Sequence, residues 1–263
     1  MEPNTNFKSG YSEVNGLKMY YEIHGQGKPL VLIHGGGSTI ETSFGNIIPL
    51  LSKSRQIIAM ELQAHGHTND RASDLSFEQD ADDVAQLLEN LQIKKANFLG
   101  FSNGAQTTIE IALRHKNIIG KIILASGFYN RRAVASQFWD GFEYATLDMM
   151  PKVLRDGYLK ANNSEKGLLN MFNRDVQRMK NFKGWTDEQM KSITAKALVI
   201  NGNNDVGSIE HAVEMHRMIP NCELAILPGG HGTYLGTIES LPNGKWTMKY
   251  AADLIIAFLD ERD

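Results

Sequence analysis

A serine between two glycines, Gly100-Phe101-Ser102-Asn103-Gly104, follows the apolar run Ala96-Asn97-Phe98-Leu99 and precedes Ala105 to Leu113, whose pattern is helical. A strand that turns so sharply into a helix leaves no room for side chains two positions either side of the corner, and glycine is the residue type that fits. Ser102 is therefore predicted to stand exposed above a sheet, where a nucleophile would act. A serine hydroxyl is a weak nucleophile until a base takes its proton, so this chemistry also needs a histidine and a carboxylate to orient it. Two later segments can deliver them. Ile200-Asn201-Gly202-Asn203-Asn204-Asp205 runs off an apolar strand into small and polar residues, and Leu227-Pro228-Gly229-Gly230-His231-Gly232 does likewise. If these strands are parallel, Ser102, Asp205 and His231 meet on one rim although they lie far apart in the chain. His231 would accept the Ser102 proton and return it to the leaving group, while Asp205 fixes the imidazole tautomer. The tetrahedral intermediate needs donors at its oxyanion. The backbone N–H of Asn103 supplies one, and the loop His34-Gly35-Gly36-Gly37 supplies the other, at Gly36.

The elements that must position these groups follow from the same pattern. Tyr11–Val14 and Leu17–Ile23 alternate apolar and polar residues around Asn15-Gly16, which predicts a two-residue hairpin. Pro29–Ile33 is a strand ending at the glycine loop, a helix is expected over Phe44–Leu51, and Gln56–Leu62 is the next strand. A helix opens at Ser76 with Gln79 three residues on, the spacing of a capping box, and carries Val84, Leu87, Leu88 and Leu91 on one face. Further strands are predicted at Lys121–Ala125, Ala197–Ile200 and Glu223–Leu227, with helices over Ser208–Met218 and Trp246–Leu259. Apolar strands alternating with helices predict an α/β fold, a mostly parallel central sheet covered on both faces. Between residues 128 and 193 the strand rhythm stops. That stretch is helical and rich in Phe138, Trp139, Phe142, Tyr144, Met149, Met150, Met171 and Phe172, so residues 128–193 are read as an inserted helical cap on a core of residues 1–127 and 194–263. Its aromatic and methionine side chains are expected to pack the cap onto the core, with a few facing a pocket.

With 263 residues, 42% hydrophobic content and a formal charge of -3, the chain can bury one large core and shows no basic footprint for nucleic acid or an anionic membrane. No stretch has the length and apolarity of a membrane span, and the N-terminal residues lack the pattern of a leader, so a cytoplasmic protein is expected. The single cysteine, Cys222, allows no internal disulfide and no thiolate cluster for a metal. Two clusters invite a metal reading. Glu61, His65 and His67 lie in a loop without a matched fourth ligand, and are read as structural. Asp80, Asp82 and Asp83 fall in the first turns of a helix, where carboxylates favour the dipole, and are read as a solvated helix start. No metal or organic cofactor is expected.

These motifs together resemble the α/β-hydrolase fold superfamily over essentially the whole chain. The His34–Gly37 loop, His65-Gly66-His67-Thr68, the Ser102 elbow, Asp205 and Gly230-His231-Gly232 stand in the order and spacing of that superfamily. Within it the chain is most similar to the helical-capped serine esterases, lactonases and carbon–carbon bond hydrolases. Relatives commonly carry Asp-x-Arg-Gly-His-Gly-x-Ser/Thr where this chain has Glu61-Leu62-Gln63-Ala64-His65-Gly66-His67-Thr68, and Ala105 replaces a second glycine after the elbow. The resemblance implies a small-molecule substrate: a small to medium, fairly apolar carboxylic ester or lactone cleaved through an acyl-enzyme. A carbon–carbon bond (diketone) hydrolase and a non-enzymatic small-molecule receptor retaining the triad are the alternatives.

Overall fold

The computed structural model describes residues 7–241 and 245–261. Eight strands form one sheet in the order β1-β2-β4-β3-β5-β6-β7-β8. Their ranges are β1 Phe7–Val14, β2 Leu17–His24, β3 Lys28–Ile33, β4 Arg55–Met60, β5 Ala96–Phe101, β6 Ile119–Ala125, β7 Lys196–Gly202 and β8 Cys222–Leu227. The β1–β2 and β2–β4 pairs are antiparallel and every other neighbouring pair is parallel. Asn15 and Gly16 both take positive φ, 48° and 77°, as the hairpin turn between β1 and β2 requires.

Because β3 lies between β4 and β5, the chain leaves β3 in one direction and returns to its other side with β5. The carboxyl ends of β3 and β5 therefore flank the crevice where the strand order reverses, a recurrent ligand position in open α/β sheets. Alternation along the strands fills two apolar layers. Val31, Ile33 and Phe98 face α3 (Phe77–Asn90), α4 (Asn103–Arg114) and α9 (Ile209–Met218), whereas Leu30, Leu32 and Leu99 face α1 (Ile40–Phe44), α2 (Ile48–Leu51) and α10 (Lys245–Asp260). Among the described residues no helix is long and apolar enough to cross a membrane.

Three local expectations need correction. The helix predicted over Phe44–Leu51 is two short helices: Asn46 breaks away to donate to the Gly236 carbonyl at 2.9 Å, and Pro49, which lacks an N–H, sits in the first turn of α2. Ser76 caps α3 as expected, accepting from the Gln79 N–H, but the Gln79 side chain turns instead to Asp83. Asp80 and Asp83 are buried rather than solvated, paired with Arg178 and Arg71 respectively. Arg178 lies 98 residues away, and Arg71 precedes the helix, so helix position alone does not reveal either partner. Asp82 is the partly exposed one, bound by Arg114 and His115.

Between β6 and β7 every α- and 3-10 turn belongs to a helical stretch that includes α5 (Ser136–Gly141), α6 (Lys152–Asn162), α7 (Glu165–Lys180) and α8 (Asp187–Lys191). Trp139, Met179, Phe182 and Trp185 extend the layer over α3 and α4, while Met150, Leu154, Tyr158, Leu168 and Met171 close on Ala64 as a separate apolar cluster. Of the aromatic and methionine set, Trp139, Met150 and Met171 are buried, and Tyr144 and Met149 are exposed.

Candidate active site

Ser102 stands between β5 and α4 with φ 53° and ψ -123°, a backbone conformation that is strained for a residue with a side chain. The flanking glycines make that corner possible. A Cβ on Gly100 would lie 2.0 Å from the Gly104 carbonyl oxygen, and one on Gly104 would lie 2.0 Å from the Ile33 carbonyl oxygen. The corner is pinned to the sheet by the Ser102 N–H, which donates to the Ala125 carbonyl at 2.9 Å. Asn103 begins α4, where backbone N–H groups have no intrahelical partner.

The glycine loop after β3 closes against this corner. A Cβ on Gly35 would meet the Ser102 Cβ at 3.1 Å, and one on Gly36 would meet the Asn103 side-chain Nδ2 at 2.5 Å. Two histidines brace the loop, and their surroundings shift their pKa values in opposite directions. His34 is buried; its Nδ1 faces the Gly35 carbonyl at 2.7 Å and its Nε2 faces the Leu62 N–H at 3.0 Å. One nitrogen must donate and the other must accept, so His34 is neutral. Burial, followed by the charge of His65, pushes its pKa down to about 3. The 4.9 Å neighbour His65 has the Gln63 carbonyl 2.8 Å from Nδ1, and the Asp175 carboxylate at 2.9 Å and the Gly37 N–H at 3.3 Å from Nε2. Burial opposes its charge, but Asp175 outweighs that and raises the pKa.

A neutral histidine in the fold takes up a proton on unfolding at any pH below its ordinary value. The stability that His34 contributes is therefore present above about pH 6.5 and is lost as the pH falls toward its folded pKa of about 3. We expect the His34 ring-carbon proton resonances to keep neutral-form shifts at pH 5 while the urea midpoint has already dropped from its pH 7 value. An imidazolium shift for His34 at pH 5 would contradict this assignment.

Asp205 and His231 come together at the ends of β7 and β8. His231 Nδ1 lies 2.7 Å from Asp205 Oδ1, and the Asp205 side chain is fully buried while that of His231 is 25% exposed. Burial alone would raise the Asp205 pKa; the His231 hydrogen bond and charge, with donors at Ser126 and the Gly202 N–H, hold it below the ordinary value. The carboxylate accepts from Ser126 Oγ at 2.6 Å, Gly202 N–H at 3.0 Å and Val206 N–H at 2.7 Å. Tyr234, fully buried, closes the back of this cluster by bonding Ser126 Oγ at 2.8 Å and the Ile200 carbonyl at 3.1 Å. Sequence reading missed Ser126 and Tyr234, although Ser126 follows β6 directly and lies on the same rim.

The Phe101 ring, adjacent to Ser102, packs on His231 at 4.9 Å. Among the described residues Ser102 Oγ and His231 Nε2 make no hydrogen bond, a contact that in such sites often tightens only when substrate is bound. A cavity of about 500 Å³ opens beside His231, lined by Asn204, Gly229, Gly230, Thr233, Glu239 and Ser240. Glu61, His65 and His67 do not share a centre: Glu61 accepts from His67 Nδ1 at 2.9 Å, whereas His65 turns to Asp175. Gln63, in place of a basic residue, joins the Arg71 backbone and side chain to Asp70 and the Ser73 carbonyl. Cys222 begins β8 as a half-buried thiol whose pKa burial pushes up to about 12.

Comparison with known proteins places this architecture. A model of the α/β hydrolase fold family matches residues 28–163. An uncharacterized hydrolase of Bacillus subtilis is 28% identical over 237 residues, covering 80% of this chain and 86% of its own. The serine hydrolase BPHL of Homo sapiens is 26% identical over 255 residues, covering 88% of this chain and 82% of its own. Among solved structures, a meta-cleavage product hydrolase of Pseudomonas fluorescens superposes with TM-score 0.79 at 19% identity, over 97% of this chain and 98% of its own.

Proposed function

The chain belongs to the α/β-hydrolase fold family, and from that premise we propose that it is a serine hydrolase of small, fairly apolar carboxylic esters or lactones. The observation that carries the reading is the strained Ser102 corner with the glycine loop closed on it and a histidine–carboxylate pair on the same rim. Ser102 is the nucleophile, His231 the general base and then acid, and Asp205 the orienting carboxylate. Attack on the carbonyl gives a tetrahedral oxyanion received by the N–H groups of Gly36 and Asn103, and its collapse leaves an acyl-Ser102 that water hydrolyses. Gly36 suits that task because His34 draws the Gly35 carbonyl to one side. The next N–H of a trans peptide points to the other.

Residues 128–193 act as a cap that selects the substrate. Met150 supports this reading, since its methyl lies 3.1 Å from where a Gly37 Cβ would be, and it belongs to the apolar cluster of α6 and α7. The name of the human relative, a serine hydrolase, agrees with a serine nucleophile. Turnover of p-nitrophenyl acetate and butyrate, set against a lactone and a diketone, tests the assignment. We expect the esters or the lactone to be turned over with kcat/KM at least about tenfold above the diketone, a margin of ~1.4 kcal/mol in the barrier. Preference for the diketone would assign the same serine to carbon–carbon bond cleavage, and no turnover by the folded protein would leave the receptor reading.

A further inference from the structure

We propose that Asp175, on α7 of the inserted helical stretch, is a positioning residue that holds the oxyanion loop in its working conformation. The proposal rests on the hydrolase reading above for what the loop does, but not for how it is held.

Asp175 Oδ2 accepts from the Gly37 N–H at 2.6 Å, a donor that also lies 3.3 Å from His65 Nε2, and is bonded by His65 Nε2 at 2.9 Å, while Oδ1 accepts from Arg178. The same Oδ2 lies 3.3 Å from where a Gly36 Cβ would be. The loop is thus fixed from two sides. His34, at the end of β3, holds the Gly35 carbonyl, and Asp175, from a helix far along the chain, holds the Gly37 N–H. With its neighbour on each side engaged, the Gly36 peptide has little freedom to flip, and its N–H is left to face the elbow.

A carboxylate so near a developing oxyanion would oppose the reaction unless its charge were offset. Arg178 offsets it, and His65 bonds it from the other side. Arg178 reaches Asp175 with one arm and Asp80 on α3 with the other, at 2.8 Å, and is itself almost fully buried over the Phe77 ring. His65, wedged between the Gln63 carbonyl and Asp175, braces the carboxylate, and against the opposing effect of burial Asp175 raises the His65 pKa. Asp175, Asp80, Arg178 and His65 form one buried network joining α7, α3 and the loop after β4 to the glycine loop. Docking of α7 and preorganisation of the oxyanion site are therefore the same event.

The test combines hydrogen exchange with kinetics in Asp175→Ala and Asp175→Asn. In the wild type the Gly37 amide is expected to be protected. In Asp175→Ala it should exchange at least about tenfold faster while β5 amides are unchanged, and kcat on p-nitrophenyl butyrate should fall about 10- to 100-fold with KM within about twofold. Asn, whose side-chain oxygen can still accept from Gly37, should recover part of both. An unprotected wild-type Gly37 amide overturns the proposal even if the alanine variant fails to fold, and so does unchanged loop exchange or unchanged kcat in a folded variant. If the wild type turns over no ester, lactone or diketone, the hydrolase reading falls, and the exchange arm still decides whether Asp175 holds the loop.

Discussion

Ser102→Ala is expected to lower kcat/KM on an ester by about four to six orders of magnitude, leaving only what binding and the oxyanion donors supply. The folded protein should scarcely notice. Ser102 Oγ makes no hydrogen bond among the described residues, and the corner is held by its backbone and by the packing of Gly100 and Gly104. Alanine has the same Cβ and meets the same φ of 53°, so the backbone strain is carried over unchanged. A surface-like truncation of this kind shifts stability by under about 0.5 kcal/mol, or about 2 °C in Tm for a chain of this size. Activity measured beside Tm separates the two effects: a variant that loses both would place Ser102 in the scaffold rather than in the chemistry.

Asp205→Asn should produce the opposite pairing, a large loss of rate together with a loss of stability. The two carboxylate oxygens of Asp205 receive four donors, from His231 and Val206 on one side and Ser126 and Gly202 on the other. An amide has one acceptor oxygen, so its NH2 must face a backbone N–H, that of Val206 or that of Gly202, whichever way it is turned. If the NH2 takes the Oδ1 position it also imposes the wrong tautomer on His231, and kcat falls about 10⁴-fold. Donors left unmatched in a buried site cost about 1–3 kcal/mol, so Tm should fall by several degrees. Steady-state kinetics with thermal denaturation of the same preparation reads both. Full activity in Asp205→Asn would remove Asp205 from the reaction.

Much of this was legible in the sequence because it depends on local steric rules and chain order. Gly100 and Gly104 are needed wherever a strand turns so tightly into a helix, and Asp205 and His231 each follow a short apolar strand. Parallel pairing then brings those ends to one rim. What was not legible is carried by long-range pairing of charges. Asp80 reads as part of a solvated helix start because nothing near it announces Arg178, 98 residues away, and Asp83 does so because the chain folds Arg71 back over the helix start. Asp175 sits within a helix whose pattern is that of packing, and its role depends on a glycine 138 residues away. The Phe44–Leu51 run shows the same limit: its apolar content predicts one helix, whereas the chain turns at residues 45–47, where Asn46 bonds Gly236, 190 residues away.

In the proposed mechanism Ser102 attacks the substrate carbonyl and carries the acyl group. Incubation with a fluorophosphonate, which forms a stable tetrahedral adduct on an activated serine, followed by peptide mass spectrometry, tests it most directly. We predict one equivalent of adduct on Ser102 in the wild type, and none in Asp205→Asn on the same timescale. An adduct on another residue, or a folded and unlabelled wild-type protein, would contradict the account.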